Sequence, residues 1–193
     1  RSLTAVDRSD VVILVIDAVE GISEQDSKIA GYAHNQGKAF IIAVNKWDLI
    51  EKDTGTMQKF KNSVYEELPF MMYAPVLFIS ALTGQRVHKV FEMTDYVANR
   101  AAFRVPTGML NDVLAEAVAV AQPPSDKGKR LKIFYMTQIK VKPPTFAIFC
   151  NSTKLFHFSY ERYLVNQLRK EFGLVGTPIR MIAREKIEKN EKS

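Results

Sequence analysis

The chain has 193 residues, 47% of them hydrophobic, which is enough apolar material to bury one or two cores. It contains no apolar run near the ~18 residues of a membrane span, and its single cysteine, Cys150, excludes an internal disulfide framework, so we expect a cytoplasmic protein with no membrane partner. The net charge of +6 is uneven: residues 1–105 carry 12 Lys and Arg against 13 Asp and Glu, whereas residues 106–193 carry 15 against 8, a basic half that suits either a nucleic-acid partner or a merely solvated face.

Residues Arg1 to Arg8 have the pattern of the end of an amphipathic helix, feeding an apolar strand over 11–16. An opening inside an element, without an initiator Met, reads as a piece of a longer protein. Asp17-Ala18-Val19-Glu20-Gly21 follows that strand and resembles an Asp-x-x-Gly loop, but it is one residue too long. A helix is predicted near 24–36, with Ser23 or a neighbour as its cap and Glu24 and Asp26 near its positive end. The run 39–44 is a buried strand, and Asn45-Lys46-Trp47-Asp48 follows it, in the position where open α/β sheets bind ligands. Further helices near 56–67 and 86–103 flank a strand over 75–79 that ends in Ser80-Ala81-Leu82. Strands alternating with helices predict a parallel sheet with crossover helices.

The residue types in these two loops suit guanine. Its N1–H and N2 amine are parallel donors that one carboxylate, Asp48, accepts as a charge-assisted pair. Asn45 offers donor and acceptor for the O6/N7 side and for tying loops together, the Lys46 stem can lie over the ring, and Trp47 is expected to pack outward. Ala81 is small enough to let a backbone N–H approach O6, and Ser80 can brace its loop. Adenine would leave Asp48 facing a poor partner, which is costly once desolvated.

The phosphate half of such a site is missing from the sequence. No G-x-x-x-x-G-K-[ST] run is present to cradle phosphates and hold Mg²⁺. The stretch from Gly31 to Gly37-Lys38-Ala39 has the wrong glycine spacing, and Ala stands where the metal-binding hydroxyl belongs. We therefore expect no catalytic or metal-binding residue in this chain, and no tightly bound nucleotide.

Val105-Pro106-Thr107 interrupts the helical pattern and marks a domain boundary between 104 and 105, with Thr107 expected to cap a helix through Ala121. The second half then reads as a turn-rich loop from Gln122 to Gly128, strands over 131–140 and 145–150 joined at Pro143-Pro144, a helix over 160–172, a strand over 179–183 and a charged tail over 184–193. Lys127, Lys129, Arg130 and Lys132 flank the loop and are the candidate contacts to RNA or a ribosome, against the alternative of a solvated loop. Gly173-Leu174-Val175-Gly176 matches a G-x-x-G nucleic-acid clamp, but it follows a helix and precedes a strand, where a helix-ending glycine is the simpler reading. Phe156 and Phe158 are expected in the core and His157 as an exposed strand residue. Cys150 is expected as a small buried hydrophobe, and neither His34 nor His88 has the neighbours of a metal site.

Asn45-Lys46-x-Asp48 with Ser80-Ala81 after the next strand resembles the base-binding half of Ras-like, translation-factor-class GTPases. Together with Asp17-Ala18-Val19-Glu20-Gly21-Ile22, Gln25-Asp26, Ile29-Ala30-Gly31-Tyr32-Ala33, Ser80-Ala81-Leu82-Thr83-Gly84-Gln85 and Gly176-Thr177-Pro178-Ile179-Arg180, the whole chain resembles the carboxyl-terminal portion of the Der (EngA) ribosome-biogenesis GTPases, in which two consecutive GTPase domains precede a KH-like domain. The resemblance implies an α/β partial Ras-like P-loop GTPase domain over 1–104 and an α+β KH-like domain over 105–193. It also implies base contacts from Asn45, Lys46, Asp48, Ser80 and Ala81, with Leu82 completing the second loop. For the complete protein it implies GTP or GDP with Mg²⁺, GTP hydrolysis, a preceding GTPase domain, and the large ribosomal subunit and its RNA as partners. The alternatives are a non-catalytic KH-like RNA- or ribosome-docking module and an Era-like GTPase.

Overall fold

A computed structural model describes residues 2–186, and they form two units. The first comprises 2–102 with 175–178, the second 103–174 with 179–186.

The first unit is a three-stranded parallel sheet flanked by helices. Helix α1 (Ser2–Arg8) leads into β1 (Val11–Asp17), α2 (Glu24–Asn35), β2 (Ala39–Asn45), α3 (Thr56–Glu67), β3 (Val76–Phe78) and α4 (Val87–Ala101), with strand order β1-β2-β3. The register sets Asp17 beside Asn45 and Val44 beside Phe78. Strand β2 is central and buried on both faces from Ala39 to Val44, as expected of a middle strand covered by crossover helices. On β1 only Val12, Leu14 and Ile16 are buried, while Ile13 and Val15 remain exposed. Ser23 caps α2 in a full capping box: its Oγ accepts from Asp26 N–H at 3.1 Å, and Asp26 accepts the Ser23 N–H at 2.9 Å. The segment 175–178 belongs to this unit through Gly176, whose carbonyl accepts from Phe40 N–H at 2.7 Å and whose N–H donates to Tyr73 O at 2.9 Å.

The second unit is a mixed α+β arrangement. Helix α5 (Thr107–Val120), a two-residue ribbon of β4 (Ser125–Asp126) and β5 (Lys129–Arg130), strands β6 (Ile133–Lys140) and β7 (Thr145–Cys150), helix α6 (Phe158–Phe172) and β8 (Arg180–Glu185) follow in order. Strands β6 and β7 are antiparallel, and β8 pairs parallel to β7. Leu110, Leu114, Leu164 and Leu168 from the helices bury against Met136, Phe146 and Ile148 of the sheet.

Several expectations are corrected. Pro106, not Thr107, is the residue before the first turn of α5, because its carbonyl already accepts the Leu110 N–H. The loop over 122–128 contains half of the β4–β5 ribbon, turned by Lys127 (φ 47°) and Gly128 (φ 78°), the left-handed pair that a tight hairpin needs. Phe158 is exposed at the start of α6, because Leu155 and Tyr160 take the core positions; Phe156 packs against that core, and His157 precedes the helix instead of lying in a strand. The last strand runs on to Glu185, into the stretch read as a tail. The remainder of that tail, 187–193, lies outside the described residues.

Candidate functional site

The site is built where β1, β2 and β3 end on the same side of the sheet. Beyond Asn45 the chain turns at Lys46, which takes the left-handed conformation (φ 62°, ψ 30°), and enters a 3-10 turn over Trp47–Leu49. That turn reverses the expected direction of Trp47. Its indole is fully buried, 4.5 Å from the Phe78 ring and 5.5 Å, edge-on, from Phe60, while Lys46 is exposed and Asp48 half-buried. Trp47 is thus the anchor that holds its two polar neighbours at the surface. The Asp48 carboxylate has no hydrogen-bond or ion-pair partner among the described residues.

The two loops are tied together by Asn45. Its Oδ1 accepts from Ala81 N–H at 2.9 Å, which leaves the Nδ2 hydrogens as its remaining side-chain donors. The backbone adds Trp47 N–H to Ile79 O at 3.1 Å and Ile79 N–H to Val44 O at 2.8 Å. Ser80 is fully buried, and its Oγ accepts from Thr83 N–H at 3.2 Å, which closes the second loop. Leu82 projects from that loop and is 88% exposed.

One residue of the site was set aside in the sequence. Asp17 Oδ2 pairs with Lys46 Nζ at 2.5 Å, while its Oδ1 accepts the N–H groups of Val19 at 2.8 Å and Glu20 at 3.2 Å. The Lys46 ammonium, aided by the Val19 N–H, holds the Asp17 carboxyl below the usual carboxylate range, and Asp17 in turn raises Lys46. The signal was present: parallel register with Asn45 places the last residue of β1 beside the loop.

In the second unit, Lys127, Lys129, Arg130 and Lys132 line one cleft of about 820 Å³, together with Lys154, which sequence reasoning missed. Asp126 and Glu185 also line it, so the cleft is basic but not uniformly so. Asn151 fastens the ribbon to the sheet by accepting from Lys132 N–H at 2.9 Å and donating to Arg130 O at 3.0 Å. Among the described residues, no group of three or more His, Cys, Asp or Glu could hold a metal ion, and no helix is long and apolar enough to cross a membrane.

Residues 2–100 match the elongation factor Tu GTP-binding domain, and residues 104–184 match the KH-domain-like region found at the carboxyl terminus of EngA bacterial GTPases. The chain belongs to the Der/EngA GTPase family. GTPase Der of Ruminiclostridium cellulolyticum is 65% identical over 98% of this chain and 43% of its own length. That of Acetivibrio thermocellus is 64% identical over 96% of this chain and 42% of its own length. The chain therefore spans less than half of the curated Der relatives it matches. A crystal structure of Era with MgGDPNP and a 16S ribosomal RNA segment aligns over 96% of this chain and 68% of its own, at TM-score 0.42 and 14% identity, too loose a likeness to carry an argument.

Proposed function

We propose that the first unit reads the guanine base for a GTP-hydrolysing protein that acts in assembly of the large ribosomal subunit, and that the second unit contacts ribosomal RNA. The observation that carries the base reading is the Asn45–Ala81 hydrogen bond. It joins two loops that are 36 residues apart in sequence, and Asp48 stands beside the joint without a partner. The hydrogen-bonding set fits guanine: a carboxylate that accepts from N1–H and N2–H, an asparagine amide that donates to N7, and an Ala81 N–H that O6 would share with Asn45 Oδ1. Lys46 supplies a stem for the ring face. These residues choose the nucleotide. Phosphoryl transfer is positioning and charge stabilisation by Mg²⁺ and a phosphate loop, and the sequence has no G-x-x-x-x-G-K-[ST] run to provide the latter.

The test is Asp48→Asn in the full-length protein. An amide at this position prefers the O2 of xanthine to the N2 amine of guanine. Relative affinity should shift from GTP towards XTP, with guanine discrimination falling by roughly 1–3 kcal/mol. Unchanged relative affinities for the two nucleotides would rule out the role given to Asp48.

A further inference from the structure

We propose that Asp17 is a positioning residue for nucleotide binding: it anchors the Lys46 ammonium and so fixes the Lys46 stem against the face of the base. The proposal rests on the base reading above and extends it to a residue that does not touch the nucleotide.

The Asp17 carboxylate is held before it meets the lysine. Its Oδ1 takes two backbone N–H groups, from Val19 and Glu20, and the turn is closed by Gly21 N–H on Asp17 O at 2.9 Å, with Gly21 at φ 79°. Only Oδ2 remains, and it faces Lys46 Nζ at 2.5 Å. The next residue, Ala18, donates its N–H to Asn45 O at 2.9 Å, so the brace and the base loop are bonded through the backbone as well. Lys46 itself sits in the left-handed region, a conformation that costs free energy and persists only when its surroundings hold it.

Exposure decides what the pair is for. The side chains of Lys46 and Asp17 are 52% and 18% exposed, and ion pairs this accessible to water add little to folding stability. A lysine stem has four rotatable bonds, however, and a stem already immobilised by its terminal charge loses less freedom when a ring settles on it. The Asp17–Lys46 pair pre-orders a binding surface. The loop that approaches an Asp-x-x-Gly pattern in sequence works here as a strut.

The experiment uses the full-length protein and measures release rates of fluorescent GDP and IDP, the latter lacking the N2 amine. Asp17→Asn keeps the Oδ1 acceptor and removes the charge from Lys46; Lys46→Met keeps most of the stem. Asp17→Asn should speed release of GDP and IDP by the same factor, about two- to tenfold, with little change in melting temperature. Added to Lys46→Met, it should have no further effect. Wild-type release from Asp17→Asn, full additivity of the two substitutions, or faster release that simply follows a fall in melting temperature would each overturn the proposal. Asp48→Asn is measured alongside. If it leaves the GDP to IDP ratio unchanged while Asp17→Asn still acts through Lys46, the guanine reading of Asp48 fails and the strut stands.

Discussion

Tyr160 shows how much one buried hydroxyl does in the second unit. It is 6% exposed, and its OH donates to Ala121 O at 2.8 Å, tying the start of α6 to the end of α5. Burial, and to a lesser degree the neighbouring Tyr163, push its pKa up to about 12 from 10.0. Because the folded-state value is raised, the stabilisation linked to the proton is fully present below pH 10 and is lost as pH rises through 12. Tyr160→Phe should cost about 0.5–1.5 kcal/mol at neutral pH, the net worth of one hydrogen bond, and should flatten the alkaline fall in stability between those limits. Urea melts from pH 7 to 11 on both proteins check this; equal alkaline slopes would assign the loss to other groups. Trp47 carries the opposite lesson at the same scale. The place of Asn45, Lys46 and Asp48 after β2 was legible from the apolar run that ends there, whereas the direction of Trp47 was not, because the left-handed turn at Lys46 has no signature in residue type.

At the scale of elements, the parallel strands and their helices were legible from apolar runs spaced by helical patterns, with ends within a residue or two. The β4–β5 ribbon was not, since two polar residues on each side carry no periodicity and pair only because Lys127 and Gly128 both take positive φ. Nor was the return of Gly176 to the first unit, which depends on packing against a residue 79 positions away in sequence, where a Cβ would lie 2.3 Å from Val97 Cγ1 and 2.8 Å from its Cβ. Val97 is fully buried, and Gly176 is at φ 73°. Gly176→Ala should therefore cost about 2–4 kcal/mol, adding overpacking to left-handed strain. Gly84→Ala provides the comparison: its φ is 76° but nothing lies within 4 Å of the added carbon, so only the backbone cost of about 1–2 kcal/mol applies. Measured against Val97→Ala alone, Gly176→Ala should recover the part of the steric share due to Val97 Cγ1 and none of the backbone share, since the Cβ at position 97 stays 2.8 Å away. Chemical denaturation measures all three, and equal losses at Gly84 and Gly176 would remove the packing argument.

For the whole molecule, the split charge and the two-unit architecture point to two separable binding activities. Base contacts without phosphate contacts are weak, so calorimetry on verified 193-residue material should find GDP binding weaker than micromolar and no GTP hydrolysis; tighter binding would refute this division of labour. The proposed RNA contact falls to the second half, whose 15 Lys and Arg against 8 Asp and Glu include Lys127, Lys129, Arg130, Lys132 and Lys154 around the ribbon cleft. The Lys127–Gly128 turn presents Lys127, Lys129 and Arg130 on a short, exposed hairpin, a shape that can follow a sugar-phosphate backbone, and the Arg130 guanidinium is already engaged there, donating to Gln122 Oε1 at 3.2 Å. Phosphate binding releases counterions regardless of sequence, so such binding should weaken steeply with salt and discriminate poorly between sequences. Replacing Lys127, Lys129, Arg130 and Lys132 with Ala in the full-length protein should lower affinity for large-subunit particles and reduce the slope of log K against log salt by roughly 3, at about 0.7–0.9 for each phosphate no longer neutralised. The hairpin itself should survive, because Asn151 holds it through backbone groups of Lys132 and Arg130 and not through the side chains removed. If affinity and salt slope both stay at their wild-type values, the cleft is a solvated face and the ribosome is held elsewhere.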